Sequence, residues 1–191
     1  MPVTPFHFGP GFLIKSVFVG RFSFRIFVLS NIIIDLEPLY FILTNQWPLH
    51  RFFHTYLGAT VIAMGCVMVG RPICYQLTNI WNMILKNVPI NSEKISTSAL
   101  VMSAFIGTYS HVFLDSIMHR DLRPFAPWAN SNGLLHIVSY GQLHLFCFLA
   151  GVVGIAIYRK NVRAAQFKWE NTKYQAPFRG HTELWLKRKK W

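Results

Sequence analysis

Charge is scarce in this chain. Charged residues make up 14% of the 191, and only seven are acidic. Ordinary globular domains carry about 25% charge, so a water-soluble domain of the common kind is not expected. Apolar residues reach 52% and mean hydropathy is +0.32, which excludes a disordered chain. Three cysteines, Cys66, Cys74 and Cys147, form no C-x-x-C pair. They exclude a disulfide framework and a cysteine-based zinc finger. Internal repeats and low-complexity tracts are absent. The start, Met1-Pro2-Val3-Thr4-Pro5-Phe6-His7, lacks a basic n-region and a small-residue cleavage site, so no secretory signal is read there.

What is present is a series of apolar stretches. Ile26 to Leu43 is interrupted by Asp35 and Glu37. Phe52 to Gly70, Ile95 to Leu114 and Gly133 to Tyr158 contain no Lys, Arg, Asp or Glu. A spanning helix needs about 20 mostly apolar residues, and the last three satisfy that by length. The run from Gly11 to Gly20 is too short to span alone. With the next segment it predicts a re-entrant hairpin turning near Gly20-Arg21. Pro38, Pro48, Pro72, Pro89 and Pro124–Pro127 read as breaks. Pro72–Ser92 reads as an interfacial helix or loop. The expected fold is an all-α integral membrane bundle, with about four spanning helices and a short N-terminal re-entrant or interfacial helix.

The length predicts one membrane-embedded domain, residues 1–158, followed by a basic tail, 159–191. That tail carries ten Lys/Arg against two Glu, out of a net charge of +12. Anionic lipid headgroups at a cytoplasmic face are its expected partners. No nucleic-acid-binding module accompanies it, so nucleic acid is not supported. Loop charge sets the expected orientation. Lys15, Arg21 and Arg25 at the hairpin, Arg71, Lys86 and Lys94 after the second stretch, and the tail all fall on one side. In a bacterial cell that side is expected to be cytoplasmic. Loops 45–50 and 119–133 would then be periplasmic, although Arg51, Arg120 and Arg123 on that side oppose the bias.

Ionisable groups within apolar segments are costly and tend to mark function. Four of the seven acids, Asp35, Glu37, Asp115 and Asp121, lie inside or at the ends of such segments. The sharpest pattern is His111, Asp115 and His119, spaced i, i+4, i+8, which places them on one stripe of a helix. Imidazole and carboxylate are ligands for zinc, and also suit manganese or iron. His50 and His54 repeat the i, i+4 spacing. Asp35 follows an uninterrupted Ile run and needs a cation or proton partner. His7 lies just before the short apolar run. The hairpin topology returns His7 and Asp35 to the end that also receives His50/His54 and His111/Asp115/His119. Arg51 and Arg123 sit close in sequence to these groups and suit an oxyanion through the planar guanidinium fork. His136 reads as a hydrogen-bonded bundle residue, and His144 as a ligand or supporting residue. The small-residue run Gly151-Val152-Val153-Gly154 is a weak dimer signal, and the oligomeric state is not legible.

In this order the motifs resemble the bacterial family of LexA-regulated, inner-membrane-associated metal-dependent hydrolases. The resemblance rests on His7, Asp35 with Pro38, His50-Arg51-Phe52-Phe53-His54-Thr55, Tyr109-Ser110-His111 with Asp115, and the loop Pro124–Trp128. It covers roughly residues 4–128. Many members read Asp-x-Asp-His at the first acid, whereas this chain reads Asp35-Leu36-Glu37-Pro38, so the second-acid role is not carried over to Glu37. The family is also distantly similar to the zinc-dependent phospholipase C and single-strand nuclease superfamily. The resemblance implies a metal site built from His7, Asp35, His54, His111 and Asp115. It implies hydrolysis of a phosphoester, lipid or lipid-linked, with Asp115 ligating or bridging and Arg51 or Arg123 holding negative charge. The alternative is a non-enzymatic membrane protein that uses the same cluster for haem or as an ion or proton relay.

Overall fold

The computed structural model describes residues 5–90 and 94–175. A single 3-10 turn, Pro5–His7, leads into five α-helices: α1 (Phe8–Val17), α2 (Phe24–Leu43), α3 (Tyr56–Ile84), α4 (Thr97–Met118) and α5 (Tyr140–Gln175). No strand occurs among the described residues. Helices α2, α3 and α4, and α5 over Tyr140–Ala164, are long and apolar enough to cross a membrane. The protein is an integral membrane helical bundle. Its outward surfaces are apolar, with Met68 79% and Leu43 74% exposed. A bilayer, unlike water, is a suitable solvent for such surfaces.

Helix α3 packs closely because one of its faces is small. Ala59, Ala63, Cys66, Gly70 and Cys74 recur every three or four residues and are all buried. Ala63, Cys66 and Cys74 meet Ile26 of α2 and Ala99, Leu100 and Ala104 of α4 in the main apolar core, and Ala59 packs with Ile34 and Val112. At Gly107 of α4 an added Cβ would meet Ser30 Oγ of α2 and lie 3.1 Å from the Phe27 carbonyl, so glycine sets that crossing. Buried hydroxyls are satisfied within their own helices: Thr108 donates to Ala104 O at 3.2 Å and Ser116 to Val112 O at 2.6 Å.

Helix α1 has ten residues, about 15 Å at 1.5 Å per residue, too short to span. It runs parallel to α5 and packs against it. Gly9 meets Cys147 and Gly151, and Gly154 lies against Leu13. Gly151 and Gly154 are thus used inside the chain, between α1 and α5. The chain turns through Gly20, which has φ +86°, before α2 begins. This is the expected hairpin.

Four features differ from the sequence reading. Pro72–Ser92 is not a separate interfacial element: α3 continues through Pro72 to Ile84. Pro38 likewise lies inside α2. Each proline removes one ladder hydrogen bond, which a long, packed apolar helix tolerates. His50 and His54 are not a helical pair, because α3 starts only at Tyr56, where Thr55 Oγ1 accepts from the Gly58 N–H. Helix α5 begins at Tyr140 rather than near Gly133, and runs beyond residue 158 to Gln175. Residues 176–191, including the Lys187–Lys190 cluster, lie outside the described residues.

The four long helices alternate in direction, so the loops sort onto two ends. One end receives residues 44–55 and 119–139. The other receives the α1–α2 turn, residues 85–90 and 94–96, and the far end of α5.

Candidate metal centre

The first of these ends holds the histidines and acids. Helix α4 supplies His111 and Asp115 one turn apart, both buried, and His119 at its C-cap. Helix α2 supplies Asp35 and, one turn earlier, Asn31. The loop into α3 supplies His50 and His54, and the turn before α1 supplies His7. All seven candidate ligands are brought to one end of the bundle.

His111 Nε2 lies 3.2 Å from Asp35 Oδ1 and 3.2 Å from Asp115 Oδ2. His54 Nε2 lies 3.8 Å from Asp35 Oδ1 and 3.7 Å from Asp115 Oδ2. On its other oxygen, Oδ1, Asp115 faces His7 Nε2 at 3.3 Å and His119 Nε2 at 3.9 Å. The donors therefore fall into two sets that share Asp115. Asp35, His54, His111 and Asp115 form one, and His50, Asp115 and His119 the other.

The far ring nitrogens of His54, His111 and His50 are tied down. His54 Nδ1 donates to Glu37 Oε2 at 3.0 Å. His111 Nδ1 donates to Asn31 Oδ1 at 3.1 Å. His50 Nδ1 donates to the Asp121 carboxylate at 3.0 Å. Glu37 also accepts from the backbone N–H groups of Arg51 and Phe53, at 3.1 and 3.0 Å. Asp121 accepts from those of Leu49 and His50, at 2.9 and 3.1 Å. Such outer acceptors fix the tautomer and leave Nε2 with its lone pair directed inward.

The inward atoms have no hydrogen bonds. Among the described residues, five buried side-chain polar atoms lack a partner: His7 Nε2, His54 Nε2, His111 Nε2, Asp115 Oδ1 and Arg71 Nε. Four of the five converge on this one place. Their mutual approaches of 3.2 to 3.9 Å are close, but they are not aligned as hydrogen bonds. A buried polar atom without a partner costs about 1–3 kcal/mol. In a tetrahedral site with bonds of about 2.1 Å the ligand atoms stand about 3.4 Å apart. The imidazole–carboxylate separations of the first donor set, 3.2 to 3.8 Å, bracket that spacing, so this group could hold a metal ion.

Outside the spans, burial pushes His119 down to about 4 and also lowers His50. Burial opposes charge on His54 too, but the carboxylates of Asp35 and Glu37 raise it. Asp121 is buried enough to favour its neutral acid, yet the donors from His50 and Leu49 hold it below the usual carboxylate range.

Arg51 and Arg123 lie further out. The Arg51 guanidinium sits 3.6 Å over the Phe41 ring and donates to Pro48 O and Gln46 Oε1, at 3.0 and 3.2 Å. Arg123 is exposed, and its side chain has no hydrogen-bond or ionic partner among the described residues. Both line a cleft of about 560 Å³, together with His50, Asp121, Phe52 and Pro127. His136 bonds Tyr140 Oη at 2.9 Å, away from the cluster. His144 is half-buried and packs against Phe6, 4.6 Å between ring centres, beside His7.

Sequence reasoning missed the residues that orient the ligands. Asn31 had a legible signal, four residues before Asp35 on the same helix face. Glu37 and Asp121 act on loop histidines, and no spacing rule connects a helix to a loop. Fold and site together define a helical membrane bundle with a buried His/Asp donor cluster at one end. No family model, no curated protein and no solved structure matches the chain.

Proposed function

We propose that the protein is a membrane metallohydrolase acting on a phosphoester carried by a lipid or a lipid-linked molecule. One observation carries this reading: three histidine Nε2 atoms and Asp115 Oδ1 are buried, unpartnered and convergent, while the outer nitrogens of His54 and His111 are anchored. Two carboxylates among the four donors of the first set favour a small divalent cation over a haem iron. Zinc suits the histidine content best, with manganese or iron as alternatives.

Asp35, His54, His111 and Asp115 would hold one cation. His7 and His119 face the other oxygen of Asp115, with His50 in the same donor group, so that carboxylate would suit a bridging role. A divalent cation here supplies Lewis acidity and lowers the pKa of water. The chain's own residues do the rest. Glu37, Asn31 and Asp121 hold the imidazoles in orientation. Arg123, lacking a partner, is placed to receive a phosphoryl oxygen at the cleft, and Arg51 stiffens its rim. Phe52, Leu57, Pro48 and Pro127 give that cleft an apolar wall suited to an acyl or isoprenoid chain. The same motifs underlie the resemblance to the inner-membrane metal-dependent hydrolases.

Loop charge supports a periplasmic site in a bacterial inner membrane. Lys15, Arg21, Arg25, Lys86, Lys94, Arg159, Lys160 and Arg163 belong to the opposite end, against Arg51, Arg120 and Arg123 here.

The deciding experiment is metal content of the detergent-purified protein by elemental mass spectrometry, with His111→Ala and Asp115→Ala alongside. The expected result is one or more divalent cations per chain, lost in both variants, together with hydrolysis of a phosphoester by the loaded protein. Absence of metal in every preparation, even after reconstitution, would refute the proposal.

A further inference from the structure

The end of the bundle opposite the histidines carries a second built feature. A cavity of about 280 Å³ lies between the α1–α2 turn, the start of α4 and Tyr158 of α5. Three cations line it, Lys15, Arg25 and Lys94, and no carboxylate does among the described residues. Lys15 Nζ donates to Phe22 O at 3.1 Å, which holds the ammonium at the rim. Arg25 donates to Thr78 Oγ1 at 3.1 Å and lies 5.6 Å from the Tyr75 ring centre, so its guanidinium is fixed in place. Helix α2 begins here, and its N-cap Ser23 makes no side-chain cap, so its first-turn N–H groups add partial positive charge.

A second cavity continues from the first. It is an apolar groove of about 310 Å³ between α2 and α3, lined by Val28, Leu29, Ile32, Leu77 and Trp81. Phe24, Arg25 and Ile90 line both cavities and join them. The groove runs along two spanning helices, where acyl chains lie. Cationic cavity and apolar groove together suit an amphiphile: an anionic head beside Lys15 and Lys94 and a tail along α2 and α3.

We infer that this composite cleft is a specific binding site for an anionic phospholipid, with the headgroup phosphate between Lys15 and Lys94 and an acyl chain in the α2–α3 groove. It stands at the other end of the molecule from the donor cluster and does not depend on the hydrolase reading. Free phosphate shares the headgroup chemistry but leaves the groove unused.

The test is native mass spectrometry of the full chain released from detergent containing equal amounts of phosphatidylglycerol and phosphatidylcholine. The wild type is expected to retain phosphatidylglycerol preferentially. The preference should fall about fivefold for each lysine removed in Lys94→Gln and in Lys15→Gln/Lys94→Gln. Lys94 is exposed, and its side chain has no hydrogen bond or ion pair among the described residues, so the single variant is expected to stay folded. Arg159→Gln/Arg163→Gln removes two exposed cations from the same end but outside the cavity, and should keep the preference. Equal retention of both lipids by the wild type would overturn the proposal. So would an equal loss in the arginine control, or displacement of phosphatidylglycerol by millimolar inorganic phosphate.

Discussion

A histidine is defined as a ligand by what its other nitrogen does. Nδ1 of His54 donates to Glu37 and that of His111 to Asn31, so both rings can turn only Nε2 inward. Glu37→Gln keeps the shape but weakens the acceptor. It is expected to lower metal affinity about 10- to 100-fold, read by competition with a chelator, with the fold intact. Asp115 faces a different demand, because both of its oxygens serve the cluster. Asp115→Ala removes contacts to both donor sets and should abolish metal binding rather than weaken it. Arg123→Ala separates binding from metal loading. Metal content should stay at the wild-type level, while KM for a phosphoester rises about tenfold or more. An unchanged KM would remove Arg123 from substrate binding.

The elements matter because the site is assembled across them. Helices α2 and α4 approach closely at Gly107, where an added methyl would meet Ser30 Oγ and lie 3.2 Å from Asn31 Nδ2. Gly107→Ala should therefore cost about 1–3 kcal/mol by overpacking, seen as a lower melting temperature in detergent. It should also loosen metal binding, since Asn31 is the partner of His111. A fall in stability with unchanged metal affinity would show that the crossing and the site are independent. The short α1 has a similar dual role. It fills the face of α5 at Gly151 and Gly154, and it brings His7 to within 3.3 Å of Asp115. A helix too short to span thus closes the donor cluster from inside the bundle.

Across the whole molecule, charge is segregated. Asp35, Glu37, Asp115 and Asp121 gather at one end, and most of the cations of residues 5–164 at the other. By the Lys/Arg bias of the loops, the cation-rich end is expected to be cytoplasmic. All three native cysteines are buried, which leaves a quiet background for labelling. Trp128, 78% exposed at the site end, and Val88, 64% exposed at the other, are suitable probes. In intact bacterial cells a membrane-impermeant thiol reagent should label Trp128→Cys and spare Val88→Cys. The reverse pattern would place the donor cluster in the cytoplasm.

The spans were legible in the sequence because bilayer thickness demands a length of apolar chain that few other structures need. The stripe of His111, Asp115 and His119 was legible because helical spacing is local. The breaks assigned to Pro38 and Pro72 did not occur, because a missing N–H is a local cost and the packing of α3 against α2 and α4 outweighs it. The sequence alone settled a helical membrane protein with histidines and carboxylates in and beside its apolar segments. Only tertiary structure decided that Glu37 belongs to His54 and Asp121 to His50, 17 and 71 residues apart. It alone decided that the two oxygens of Asp115 face different histidines. Periodicity reports which face of one helix is buried, whereas a ligand set depends on where separate helices and loops meet.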